Sequence, residues 1–136
     1  MVFTNDKIIR VALRNVLDKD LKEYRAESGY PAEIFEELGV RHGAARIDIA
    51  VINGFMHGYE IKSDSDTLER LPGQMNEFNA VFDKMTLVVG KRHLYDAINI
   101  IPDWWGIIVA KIDANCKVFF QTIREARIIK IRSEFP

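Results

Sequence analysis

The feature that most constrains this chain is a pair of alternating segments joined by a tight turn. From Ala45 to Ile52, Ile47, Ile49 and Val51 alternate with Arg46, Asp48 and Ala50; from Met56 to Ser63, Tyr59 and Ile61 alternate with Gly58, Glu60 and Lys62. Successive side chains of a strand point to opposite faces, so one apolar face fixes the other. If Ile47, Ile49, Val51, Tyr59 and Ile61 share the core side, then Arg46, Asp48, Glu60 and Lys62 share the opposite side. A three-residue connection at Asn53-Gly54-Phe55 pairs Ile52 with Met56, and so Asp48 with Glu60 and Arg46 with Lys62. A two-residue Asn-Gly turn, otherwise favoured in hairpins, would put Asp48 and Glu60 on opposite faces and break the apolar surface.

The rest of the chain supplies a mixed set of elements. Ile8, Ile9, Ala12, Leu13, Val16 and Leu17 recur at helical spacing behind a capping Thr4 or Asn5. The charged stretch 18–32, ending in Ser28-Gly29-Tyr30-Pro31, reads as a linker or loop. A strand is expected over 33–39, before the hairpin strands 45–52 and 56–63. Proline is comfortable in a first helical turn, so the run containing Met75, Phe78, Val81 and Phe82 predicts a helix beginning near Pro72. A buried strand at 85–89, a helix over 91–101 and strands at 106–110 and 118–120 follow. Meandering strands followed by strand–helix–strand units predict an α/β fold with a mixed central sheet flanked by helices.

At 136 residues, with 48% hydrophobic and 29% charged residues, the chain fits one domain able to bury a core without disulfides. Its N-terminus meets charge before any apolar run of signal-peptide length, and no stretch has the length and apolarity of a membrane span; a cytoplasmic protein is expected. Net charge is −1, which argues against a pure polyanion binder. Residues 1–32 carry +1, residues 33–90 carry −5 and residues 91–136 carry +3. An acidic middle with basic flanks suits a divalent-cation site whose surroundings meet phosphates.

Two carboxylates opposed in a hairpin repel unless something positive lies between them. Lys62 is one candidate and a divalent metal another. Mg²⁺ takes oxygen ligands from one or two carboxylates plus water and substrate phosphate, and a lysine beside such a site can orient or activate the attacking water. A solvated or salt-bridged polar face is the plainer alternative.

Asp48, then eleven residues, then Glu60-Ile61-Lys62 resembles the PD-(D/E)xK nuclease superfamily. The longer run Arg46-Ile47-Asp48 with Gly58-Tyr59-Glu60-Ile61-Lys62-Ser63-Asp64 looks like a small bacterial and phage subgroup of it. The resemblance spans about residues 33–110. It implies a restriction-endonuclease-like core, α-β-β-β-α-β, with an added helix and strands, and a Mg²⁺- or Mn²⁺-dependent phosphodiesterase acting on DNA. Asp48, Glu60 and the Ile61 carbonyl would bind metal, Lys62 would serve the water, and Gln74 would support the site. An additional acid is expected from Glu37, Glu36 or Asp6. Ile47 stands where the superfamily's proline does. A catalytically silent nuclease-fold binding or interaction module is the alternative, and a homodimer or larger complex is open.

Arg46, on the acidic face, and Lys91, Arg92, Arg124 and Arg127 are candidate nucleic-acid contacts, since phosphate neutralisation supplies most non-specific affinity; Lys130 and Arg132 extend the basic tail. Trp104-Trp105 read as packing beside the sheet. His57 falls on the apolar side of the hairpin and Cys116 reads as buried or half-buried.

Overall fold

The computed structural model describes residues 3–129. Helix α1 (Asp6–Ser28) is followed by strands β1 (Glu33–Val40), β2 (Ala45–Ile52) and β3 (Met56–Lys62). Helix α2 (Leu71–Asn79), strand β4 (Lys84–Gly90), a single 3-10 turn (Lys91–His93), helix α3 (Leu94–Ile100) and strands β5 (Gly106–Ile112) and β6 (Val118–Arg124) complete the order. The six strands form one mixed sheet in sequential order, with β3, β4 and β5 parallel and the outer pairings antiparallel. The α/β class expected from the pattern is the one observed.

The layers follow from connection handedness. Each step from β3 to β4 and from β4 to β5 moves one place in the same direction, so two right-handed crossovers put α2 and α3 on the same face. Leu71, Phe78, Phe82, Ala97 and Trp105 build the core there. Helix α1 covers the other face through Ile9, Leu13, Leu17 and Leu21, packed on Ile49, Val51, Tyr59, Ile61 and Val88. Trp105 is fully buried and its indole N–H donates to Asn79 Oδ1 at 2.7 Å, which fixes the packing role expected for it.

Helix α1 is longer than its sequence pattern indicates. The segment 18–28 is helical rather than a linker: Leu21 continues the four-residue apolar spacing, and the surrounding charges lie on the outer side. The helix starts where Asn5 Oδ1 accepts from Ile8 N at 3.0 Å and ends at Gly29, whose φ of 73° allows its N–H to reach Arg25 O. Helix α2 carries Pro72 in its first turn, where no backbone donor is lost. The expected helix at 91–101 is divided into the 3-10 turn and α3. Cys116 is exposed, at φ 61° in the β5–β6 turn, not buried.

The β1–β2 ribbon rolls over along its length. Ile34, Ile49 and Val51 belong to the α1 side, whereas Leu38, Val40 and Ile47 belong to the α2 side, although a regular strand would keep each set on one face. The pairing runs Glu36↔Ile49 and resumes at Leu38↔Ile47; Glu37 and Asp48 stand between. Glu37 is left-handed there, with φ 53°. Ile47 therefore does not share the face of Ile49 and Val51, contrary to the strict alternation, and Asp48 sits on the fold of the roll.

Candidate active site

The hairpin has the expected three-residue register, Ile52↔Met56 through Ile49↔Tyr59, but the ladder stops short of Asp48 and Glu60. In place of a backbone partner, Ile61 N–H donates to Asp48 Oδ2 at 2.8 Å. The N–H and C=O of one strand residue face the same neighbouring strand, so the Ile61 carbonyl is also directed to the Asp48 side. Beyond Tyr59, Glu60, Ile61 and Lys62 pair in parallel with Leu87, Val88 and Val89 of β4. The strands thus part where the acids lie, and the parting opens a cleft of about 340 Å³.

Asp48, Glu60, Ile61, Lys62 and Gln74 all line that cleft, as do Arg46 and Glu37. Glu60 is 3% exposed and Lys62 8%; Lys62 Nζ lies 3.3 Å from Glu60 Oε2. The other oxygen, Glu60 Oε1, is buried without a hydrogen-bond partner, and so is Gln74 Oε1 from α2. Burial first, and then the Asp48 charge, push the Glu60 carboxyl well above the ordinary carboxylate range, with Lys62 opposing. The site is therefore short of positive charge and rich in unsatisfied oxygen.

Much of the positive charge present comes from a residue that the sequence pattern left unmarked. Arg10 of α1 reaches Asp48 Oδ1 at 2.8 Å, Glu37 Oε1 at 2.9 Å and Asp6 Oδ2 at 3.1 Å. Burial alone would lower the Arg10 pKa, but hydrogen bonds to Asp6 and Asp48 outweigh it and drive it upward. Of the three possible additional acids, Glu37 and Asp6 line the cleft, while Glu36 pairs with Arg14 at 3.1 Å. Asp66 and Arg70 also line it. Asp66 Oδ2 accepts from Ser63 N and Oγ at 2.7 and 2.8 Å, which holds the turn directly after Lys62.

The remaining cations are dispersed. Arg46 is exposed at the cleft. Lys91 and Arg92 follow β4, where Arg92 N–H donates to Asp64 Oδ1 at 3.0 Å. Arg124 donates to the Trp105 and Pro102 carbonyls at 2.8 and 3.1 Å, and Arg127 N–H bonds to Trp104 O. Gly106 begins β5 beside Thr86, and Ile107 pairs with Arg124. Arg124 and Arg127 therefore sit toward the sheet end opposite Lys62, and Arg124 braces the turn before β5. Lys130 and Arg132 lie outside the described residues. His57, as expected, packs inside: it stacks on Tyr59 and shares a 2.8 Å hydrogen bond with Thr86.

Among the described residues no three His, Cys, Asp or Glu side chains converge as a metal cluster. The donor set is instead two carboxylates, a backbone carbonyl and the Gln74 amide. That suits Mg²⁺ or Mn²⁺, which accept one or two carboxylates and complete their shells with water; the unpartnered Glu60 oxygen is free to be a ligand, with the unpartnered Gln74 oxygen lining the same cleft.

Comparison with known proteins gives the lineage. No solved structure matches the chain. Protein cII of Enterobacteria phage P4 is 31% identical over 104 residues, covering 76% of this chain and 39% of that protein. The chain thus spans about two fifths of the length of the curated relative it matches. No helix among the described residues is long and apolar enough to cross a membrane. The family model described as bacteriophage P4 protein cII matches residues 4–135, and the chain belongs to that family.

Proposed function

We propose that this chain is a metal-dependent nuclease of restriction-endonuclease-like architecture, a single domain hydrolysing phosphodiester bonds in DNA. The observation that carries the reading is the convergence of Asp48, Glu60, Lys62 and Gln74 on one cleft, with two buried oxygens unpartnered. Asp48, Glu60 and the Ile61 carbonyl would hold Mg²⁺ or Mn²⁺; when bound, the ion would polarise the phosphodiester and acidify water. Lys62, a strand step beyond the Glu60 carboxylate, holds the attacking water by its ammonium group. Water adds to phosphorus as the P–O ester bond breaks; the attacking water gives up one proton to solvent and the departing ester oxygen takes one from it. Arg46, at the cleft mouth, meets the flanking phosphate.

Arg10 favours a second reading. Its guanidinium already neutralises Asp48 and Glu37, as a catalytically silent nucleic-acid-binding or interaction module would require, alone or within a homodimer or larger complex.

Single-stranded, duplex and branched DNA incubated with Mg²⁺ or Mn²⁺ separates the two. The nuclease reading expects cleavage that EDTA abolishes and that Lys62→Ala lowers by about 100-fold, the scale of a misplaced reactant. DNA binding without cleavage, together with no calorimetric Mn²⁺ binding, overturns it in favour of the silent module.

A further inference from the structure

The C-terminal ends of the parallel strands carry a second concavity, next to the acidic cleft and larger than it, at about 650 Å³. Phe3 and Phe119 line it and are 48% and 45% exposed. Lys91, Arg92 and Lys111 line it as well, and its one acid, Asp64, is occupied: Oδ2 accepts from Thr4 N and Oγ1 at 2.9 and 3.0 Å, and Oδ1 from Arg92 N. The lining charge facing a ligand is therefore positive in a chain whose total is −1. Arg92 lies over the Phe3 ring at 5.4 Å, and Lys111 pairs across the strands with Phe119. Arg92 also lines the adjoining pocket with Asp66, and Asp66 lines the acidic cleft.

We infer that this groove binds single-stranded nucleic acid and leads it to the Asp48–Glu60–Lys62 cleft. Exposed aromatic rings beside cations suit unpaired bases, which offer a face for stacking while the cations follow the phosphates. A duplex keeps its base faces stacked inside and gives such rings nothing to meet. Binding to duplex through phosphates alone would need a strongly basic surface, and the net charge here is −1. The inference rests on the nuclease reading for the fate of the strand, but not for its binding.

Fluorescence anisotropy in EDTA tests the groove apart from any chemistry, using a labelled oligothymidylate and a duplex of equal length. The expected result is single-strand binding at least tenfold tighter than duplex. Phe119→Ala should weaken it about tenfold, Phe119→Trp should preserve it, and Lys91→Ala with Lys111→Ala should reduce the salt slope by about 1.4, near 0.7 per phosphate. Equal affinity for both forms, indifference to Phe119→Ala with an unchanged melting temperature, or loss of a dimer rather than of DNA binding in Phe119→Ala overturns it. A strand that binds as expected yet is never cut with Mn²⁺ refutes the nuclease reading and leaves the groove standing. Cleavage of single strand and duplex alike, unaffected by Phe119→Ala, does the reverse.

Discussion

Replacing Glu60 with glutamine should stabilise the metal-free protein by an amount that grows with pH. Burial first, then the Asp48 charge, hold the Glu60 carboxyl up at about 8 against an ordinary 4.5. Between those values the unfolded chain has released a proton that the folded chain keeps. Stability therefore falls as pH rises, by about 1.4 kcal/mol per unit. The penalty is absent below pH 4.5, complete above pH 8, and about 3 kcal/mol at neutrality. Glutamine fills the same space and keeps an oxygen for the Lys62 ammonium, but carries no charge. At roughly 3 °C per kcal/mol for a domain of this size, E60Q should melt roughly 10 °C above wild type at pH 7 in EDTA, and level with it at pH 4.5. Mn²⁺ at a thousand times its Kd should reverse the order, because wild type then gains about 4.1 kcal/mol while the variant has lost a ligand. Differential scanning fluorimetry across pH, with EDTA or Mn²⁺, makes the comparison. Coincident melting curves at pH 8, or a gain that is the same at pH 4.5 and pH 8, would refute the buried-charge reasoning.

Three further outcomes follow from other contacts. Burial and the neighbouring Lys84 depress His57 to about 4 from 6.5, so the unfolded chain binds a proton that the folded one refuses; this contribution to stability is lost as pH falls through that window, by about 3 kcal/mol in all. Because the Glu60 contribution runs the opposite way there, urea midpoints from pH 4 to pH 7 should show this limb in E60Q and its flattening in E60Q combined with His57→Gln. Arg10→Met leaves Asp6, Glu37 and Asp48 without their shared cation, so its melting temperature in EDTA should fall by the equivalent of about 2 kcal/mol, and Mn²⁺ should restore more stability than it adds to wild type. Gly90→Ala would bring a Cβ within 2.6 Å of Asp64 N; urea unfolding should register a loss of about 3 kcal/mol from overpacking.

Periodicity carried most of the architecture, because each strand and both crossover helices bury a face with its own repeat. It failed at 18–28, where charge density hides a stripe continued by Leu21, and a helix on the surface needs no more than that. It also failed at Ile47: alternation assumes a regular strand, and the roll at Glu37 and Asp48 is a tertiary event. Asp48, Glu60 and Lys62 were legible because the hairpin brings them together locally, whereas Gln74 entered only through the family resemblance. Arg10 was not, since it approaches Asp48 from 38 residues away in the chain and its own helix gives it the spacing of any solvated arginine. Asp66, which accepts from Ser63 and lines the cleft, carries no mark in the sequence pattern.

The left-handed backbone at Glu37 has a consequence for how this chain can drift. A non-glycine residue in that conformation costs on the order of 1 kcal/mol, so glycine at this position would fold more readily. A library of random variants sorted for folding yield alone should therefore enrich Glu37→Gly, and by it lose one of the carboxylates around Arg10. Sorting the same library for retention of Mn²⁺ should keep the glutamate. The frequency at this one position, read by sequencing the two pools, would record whether folding or cation binding is what holds an acid in an unfavourable backbone.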